Sequence, residues 1–152
     1  MKPSERSAPR VVLDTQVLLR GAAAKTGRLT ARIYDAWREG RFVLLLSESI
    51  LEEIASVLHR PEVLLKLRMS PLEARALVAI LRRRCILVSP TVRIKRSRDP
   101  ADDKFLECAI GGEAQYVVSA DADLLSLESF EGIPIISPLT FWQMLAGESQ
   151  DL

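Results

Sequence analysis

Acidic side chains stand at several separate places in the sequence, each beside an apolar run or in a segment of helical period. Asp14 follows the first apolar run, and Glu53 lies at the edge of a helical apolar stripe. Asp102 stands near the start of a later helical pattern, and Asp121 and Asp123 follow a further apolar run. Carboxylates that converge repel one another, so a cation is needed to offset their charge. Mg²⁺ or Mn²⁺, which prefer oxygen ligands, would fill this role.

Hydrolysis is the chemistry that such an ion favours. A water bound to a divalent cation is a better nucleophile than free water, and the cation offsets negative charge during in-line attack on a phosphate. His59 is the only histidine of the chain and lies near a predicted helix end, without a catalytic partner. The acids therefore predict hydrolysis of a phosphodiester by metal-activated water.

The elements that must position these acids are strands and helices in alternation. Five apolar runs are separated by segments of helical period, which predicts a parallel sheet with helices on both faces. The predicted strands are residues 11–13, 42–46, 85–88, 116–119 and 133–136. We expect an α/β fold, a three-layer α/β/α sandwich with a parallel four- or five-stranded sheet. Polar residues that follow such strands meet at the carboxyl edge of the sheet, where ligands bind.

Helical period and capping residues predict the helices. They cover residues 28–40, 47–59, 61–67, 71–84, 99–110 and 138–146, while residues 22–27 are predicted as a loop. Ser70 and Glu73 have the spacing of a capping box, and so do Ser49 and Glu52. Asp99 is predicted to be an N-cap.

The composition fits one compact domain, because 48% of the 152 residues are apolar. The apolar runs are far shorter than the ~20 residues that span a bilayer, so we expect no membrane segment. No apolar stretch follows the charged N-terminus, and we expect a cytoplasmic protein without a signal peptide. Cys85 and Cys108 fall at predicted buried positions without a CxxC motif, which argues against structural zinc. The expected division is a disordered lead over residues 1–10, a domain over 11–147 and a tail over 148–152.

Basic residues are concentrated beside the acidic segments, although the formal net charge is only +1. Arg20 follows the first strand, and four more precede the acidic helix, namely Arg93, Lys95, Arg96 and Arg98. They are candidates for holding nucleic-acid phosphates beside the acids. The alternative is a solvated basic loop.

Each acid also has a purely structural interpretation. Asp14 can initiate a turn, and Asp102 can interact with a helix dipole. Asp123 can cap a helical turn, and Glu53 can be solvated. Their placement after and between neighbouring strands, rather than any single residue, favours a shared site.

Four segments resemble the acidic motifs of PIN-domain ribonucleases, closest to the VapC-related toxins of toxin–antitoxin systems. They are VVLDTQVLL at 11–19, SESILEEIASVL at 47–58, DPADDKFLECAI at 99–110 and YVVSADADLL at 116–125. The resemblance covers roughly residues 11–145. It implies a metal-dependent RNA endonuclease that is commonly dimeric and, among the toxins, is inhibited by an antitoxin peptide.

Position by position, the resemblance assigns the family's four acids to Asp14, Glu53, Asp102 and Asp121, with Asp123 as an additional acid. It implies metal ligation by the first, third and fourth of these. Ser119 stands where a small hydroxyl often supports a metal-bound water.

Two positions depart from the family's pattern. Gln16 replaces a frequent asparagine, and Asp103, which either adds to the metal demand or faces solvent, stands where asparagine is common. A catalytically impaired RNA- or protein-binding module is therefore the alternative. A phosphoacceptor signalling domain is disfavoured because residues 133–138 supply no lysine after the last strand.

Overall fold

The computed structural model describes residues 8–24, 28–95 and 100–150. Within these ranges a six-stranded sheet has the order β3-β2-β1-β4-β6-β5. The strands are β1 (Arg10–Leu13), β2 (Val43–Ser47), β3 (Ile86–Val88), β4 (Tyr116–Val118), β5 (Ser129–Phe130) and β6 (Ile133–Ile136). Five strands run parallel, and only β5 pairs antiparallel, with β6. The five-stranded parallel sheet is confirmed, and the short β5 is an addition to it.

Eight α-helices flank this sheet in the described part of the chain. They are α1 (Thr15–Ala23), α2 (Leu29–Arg38), α3 (Glu48–Val57), α4 (Pro61–Leu67), α5 (Pro71–Arg84), α6 (Asp103–Gly111), α7 (Ala122–Leu125) and α8 (Pro138–Gln150). A single 3-10 turn, Pro100–Asp102, leads into α6. The predicted capping box at Ser70 and Glu73 is present at the start of α5. No helix in these ranges has the length and apolar content that crossing a membrane requires.

The central strands are buried on both faces, as a sheet covered by helices on both sides requires. Val11, Val12 and the run 44–46 have no exposed surface although successive side chains point to opposite faces. Phe42 and Phe141 are also buried and meet edge to face, with ring centroids 5.5 Å or less apart at 5.1 Å. The three-layer α/β/α arrangement follows from this burial.

The order of connections places a crevice between β1 and β4. The chain passes from β1 outward to β2 and β3 on one side, and then returns to β4 on the other side of β1. Such a switch point is where open parallel sheets bind ligands. Leu13 pairs in register with Val118, so the residues that follow both strands lie at the same level.

Several predicted boundaries were wrong. Helix α1 starts directly at Thr15 and includes Ala22 and Ala23, which were predicted as loop. Ser49 lies inside α3, whose N-cap is Ser47, so the predicted Ser49–Glu52 capping box does not form. Helix α8 continues past its predicted end to Gln150.

Other expectations fall at the margins of the structure. Cys85 is half-buried at the end of α5 and not in a strand, whereas Cys108 is buried as predicted. The predicted N-cap Asp99 lies outside the described residues, as do Arg96 and Arg98.

Candidate active site

Asp14 is the central side chain of the crevice. It follows β1 directly and is the N-cap of α1, where its Oδ1 accepts a hydrogen bond from the Val17 N–H at 2.8 Å. Its Oδ2 accepts from the Ser119 hydroxyl at 2.5 Å and from the Ala120 N–H at 3.3 Å. The residue is only 6% exposed. These donors hold a buried carboxylate in one orientation and offset part of the cost of burying its charge.

Ser119 joins the ends of β1 and β4. Its hydroxyl donates to Asp14 and accepts from the Asp121 N–H at 2.9 Å. Asp121 in turn is the N-cap of the single-turn helix α7, and its Oδ1 accepts from the Asp123 N–H at 2.8 Å. Asp121 is exposed and Asp123 is half-buried. The carboxylates that follow the two strands are therefore connected through one hydroxyl group.

Glu53 reaches the same place from α3. Its Oε2 accepts from the Thr15 hydroxyl at 2.6 Å, one residue beyond Asp14. Its Oε1 accepts from the Lys104 ammonium at 2.9 Å. The edge of the helical stripe thus points toward the sheet edge, and the solvated interpretation of Glu53 is wrong.

Lys104 is a residue that the sequence analysis missed. Its ammonium also donates to the Ala101 carbonyl at 2.7 Å and lies 5.3 Å from the centroid of the Phe105 ring. The Lys104 side chain is 15% exposed and the Glu53 side chain 31% exposed. A lysine directly after three aspartates in DPADDK was the available signal, because a lone cation in an acidic segment is a natural counter-charge.

The segment before Lys104 contributes Asp102 and Asp103. Asp102 is half-buried at the end of the 3-10 turn, with its Oδ2 shielded from solvent. Asp103 is the first residue of α6 and is 6% exposed, so it does not face solvent. A carboxylate at this position interacts favourably with the helix dipole.

An ion pair outside the crevice sets the position of α3. Both Glu48 oxygens accept from Arg82, at 2.8 and 3.1 Å, which ties the first turn of α3 to the last turn of α5. The hydrogen bond from Arg82 lowers the pKa of Glu48, and the same bond raises the pKa of Arg82.

The other predicted site residues lie outside this group. Gln16 is exposed, and its Oε1 accepts from Arg20 at 3.4 Å rather than contacting Asp14. Arg93 and Lys95 are exposed on the segment before α6, and Arg93 lines a separate pocket with Glu107.

The donor set suits a hard divalent cation, because every charged side chain of the crevice apart from Lys104 offers carboxylate oxygens. Within the described ranges, however, no three acidic, histidine or cysteine side chains lie close enough together to hold an ion. Part of the positive charge that such an ion would bring comes instead from Lys104. The residues fit the cation in chemistry, and a bound ion would have to draw their carboxylates together.

A family comparison agrees with this arrangement. The model described as PIN domain, of the PIN_3 type, matches residues 10–123, which is well over half of the chain and includes the acids discussed above. The chain belongs to the PIN-domain family, whose members are generally nucleases and typically depend on divalent metal ions. No curated protein matches the chain.

Proposed function

We propose that this protein is an endoribonuclease that hydrolyses RNA phosphodiester bonds with Mg²⁺ or Mn²⁺. The observation that carries the proposal is the hydrogen-bonded convergence of Asp14, Glu53 and the Asp121 backbone at the switch point of the sheet. Asp14 and Glu53 approach through neighbouring residues of one helix start, since Thr15 follows Asp14 directly. Membership of a family that generally consists of nucleases supports the same reaction.

The metal ligands are proposed to be Asp14, Asp102 and Asp121, directly or through water, with Glu53 and Asp123 completing the set. When bound, the ion supplies an activated water and offsets the charge that builds up on the phosphate. The chain's own part is to hold these carboxylates at one edge of the sheet.

Two hydroxyl groups provide that orientation. The Ser119 hydroxyl fixes Asp14, and the Thr15 hydroxyl fixes Glu53 from the opposite side. In both cases the hydroxyl donates, so each carboxylate keeps its full negative charge for a cation.

RNA cleavage by the purified protein tests the proposal. We expect cleavage with Mg²⁺ or Mn²⁺, none with a chelator, and a loss of at least about tenfold in Asp14→Asn and Asp102→Asn. Glu52→Gln is the matched control, because Glu52 is an exposed acid beside Glu53 on the same helix. Metal-independent cleavage, or full activity in both aspartate variants, would sink the proposal.

We further propose that the protein is the toxin of a toxin–antitoxin pair and forms a homodimer, as its motifs resemble VapC-related toxins. The edge strand β3 exposes Ile86 and Leu87 by 53% and 51%, which offers apolar surface for self-association. Growth arrest on induction of the wild type, but not of Asp14→Asn, tests the toxin role. Light scattering that gives a monomer mass for the wild type would contradict the homodimer.

The alternative is a module that binds RNA or a protein without turnover. The ion pair between Lys104 and Glu53 favours it, because a carboxylate neutralised by lysine has less demand for a metal ion. This alternative predicts RNA binding without cleavage even with Mn²⁺ in excess.

A further inference from the structure

A second polar feature lies at the far end of α1, in a cleft between α1, the start of α2 and the end of α4. Its volume is about 530 Å³. Its lining residues are Arg20, Ala23, Ala24, Arg28, Thr30, Lys66, Leu67 and Arg68. Four of them are cationic and none is acidic or aromatic. We refer to this feature as the α1–α4 cleft.

The four cations of the α1–α4 cleft carry uncompensated charge. All four side chains are exposed. Among the described residues no carboxylate lies within 4.0 Å of any of them, and the Arg20 guanidinium contacts only the Gln16 amide oxygen. Like charges that converge repel one another. A chain with a net charge of +1 has therefore collected four cations where an anion would stabilise them.

The shape of the cleft depends on a close helix contact. Helices α1 and α2 approach so closely at Gly21 that a Cβ there would lie 2.5 Å from the Thr30 carbonyl oxygen. Ala23 and Ala24 follow on α1, and their small side chains leave space beside Arg28. The cleft is thus held by packed helices and is open because its floor is made of small residues.

Helix α1 connects the cleft to the acidic crevice. Asp14 caps its N-terminus and Arg20 lies in its last turn, six residues further on. At 1.5 Å per residue this separation is roughly 9 Å along the helix axis. Gln16, bonded to Arg20, occupies the exposed face between the two.

We propose that the α1–α4 cleft binds the phosphates of a single RNA strand next to the bond that is cut. The inference rests on the proposed function, because it assumes that the scissile phosphate lies beside Asp14. Four cations without an aromatic neighbour suit phosphate rather than base recognition, so the contribution is independent of RNA sequence. The pocket beside Arg93 is a weaker candidate because Glu107 lines it as well.

The test is binding of a labelled single-stranded RNA over a range of salt concentrations, measured by fluorescence anisotropy in the presence of a chelator. All proteins carry Asp14→Asn, so that the result does not depend on cleavage. The cleft variant combines Arg28→Gln, Lys66→Gln and Arg68→Gln. The matched control removes three exposed cations outside the cleft, Arg32→Gln, Arg75→Gln and Arg83→Gln.

We expect the cleft variant to weaken RNA binding and to reduce the salt slope by about 2, at roughly 0.7 per lost phosphate contact in single strands. Equal affinity and slope in the cleft and control variants would overturn the proposal, as would the absence of RNA binding in the parent. A polyglutamate peptide serves as a second probe. Loss of peptide binding without loss of RNA binding would assign the cleft to an acidic protein partner instead. Because binding is measured without cleavage, a failed cleavage assay with a positive slope change would overturn only the proposed nuclease activity.

Discussion

Replacement of Lys104 by methionine tests whether this lysine is the internal counter-charge of the acidic crevice. The variant keeps most of the apolar stem but removes the ammonium that donates to Glu53 and to the Ala101 carbonyl. Exposed ion pairs contribute up to about 1 kcal/mol, whereas removing one partner of a fully buried pair costs about 3–5 kcal/mol. With exposures of 15% and 31%, this pair lies between these limits. We expect a loss of about 1–3 kcal/mol in the free energy of unfolding.

The assay is chemical unfolding of the wild type, Lys104→Met, Glu53→Gln and the double variant, all with a chelator present. A double-mutant cycle isolates the energy of the pair from the effects of each side chain on its own. We expect a coupling energy of at least about 0.5 kcal/mol. A coupling energy indistinguishable from zero would refute the counter-charge role.

Added Mn²⁺ provides a second measurement on the same proteins. A ligand that binds only the folded state raises stability by RT ln(1 + [L]/Kd). Without the lysine, Glu53 has no ammonium partner, and we expect Mn²⁺ to stabilise Lys104→Met more than the wild type. Equal stabilisation of the two proteins would show that Lys104 and the metal ion do not compete for Glu53.

Three further predictions concern the fold around the site. Burial raises the pKa of the Cys108 thiol to about 12, so an alkylating reagent at pH 8 should modify Cys108 only after unfolding, and rapid labelling of the folded protein in mass spectrometry would contradict this. Gly21→Ala should cost about 1–3 kcal/mol in urea unfolding because its Cβ would meet the Thr30 carbonyl, and an unchanged midpoint would refute that contact. Arg82 lowers the pKa of Glu48 below 4.5, so the stability that Glu48 adds over Glu48→Gln should be present at pH 7 and be lost as the pH falls through the lowered pKa. A difference between the two proteins that persists in strong acid would contradict this last assignment.

The sheet and much of the acidic arrangement could be predicted from the sequence because they depend on local patterns. Continuous apolar runs mark strands that are buried on both faces, and Asp14 and Asp121 follow such runs directly. The start of α1 was missed for a related reason. Its first turn continues the apolar run of β1, and only the capping hydrogen bond of Asp14 shows where strand becomes helix.

The remaining features depend on packing between distant segments, which no local pattern contains. Lys104 meets Glu53 across 51 residues, so its role follows from the contact of α6 with α3 and not from the motif around it. The α1–α4 cleft brings Arg28 and Arg68 together from separate helix ends. Sequence spacing identified Arg20 as a candidate for phosphate binding but could not identify these neighbours.

Cleavage of an RNA with a single phosphorothioate at the scissile position tests the central claim most directly. Sulfur is a soft ligand that Mg²⁺ accepts poorly and Mn²⁺ accepts better. If a metal ion at the Asp14 crevice contacts the reacting phosphate, sulfur substitution should slow cleavage in Mg²⁺, and Mn²⁺ should restore the rate. Cleavage that is slowed equally with both ions, or that proceeds unchanged in a chelator or in Asp14→Asn, would contradict a metal-dependent nuclease site at this crevice.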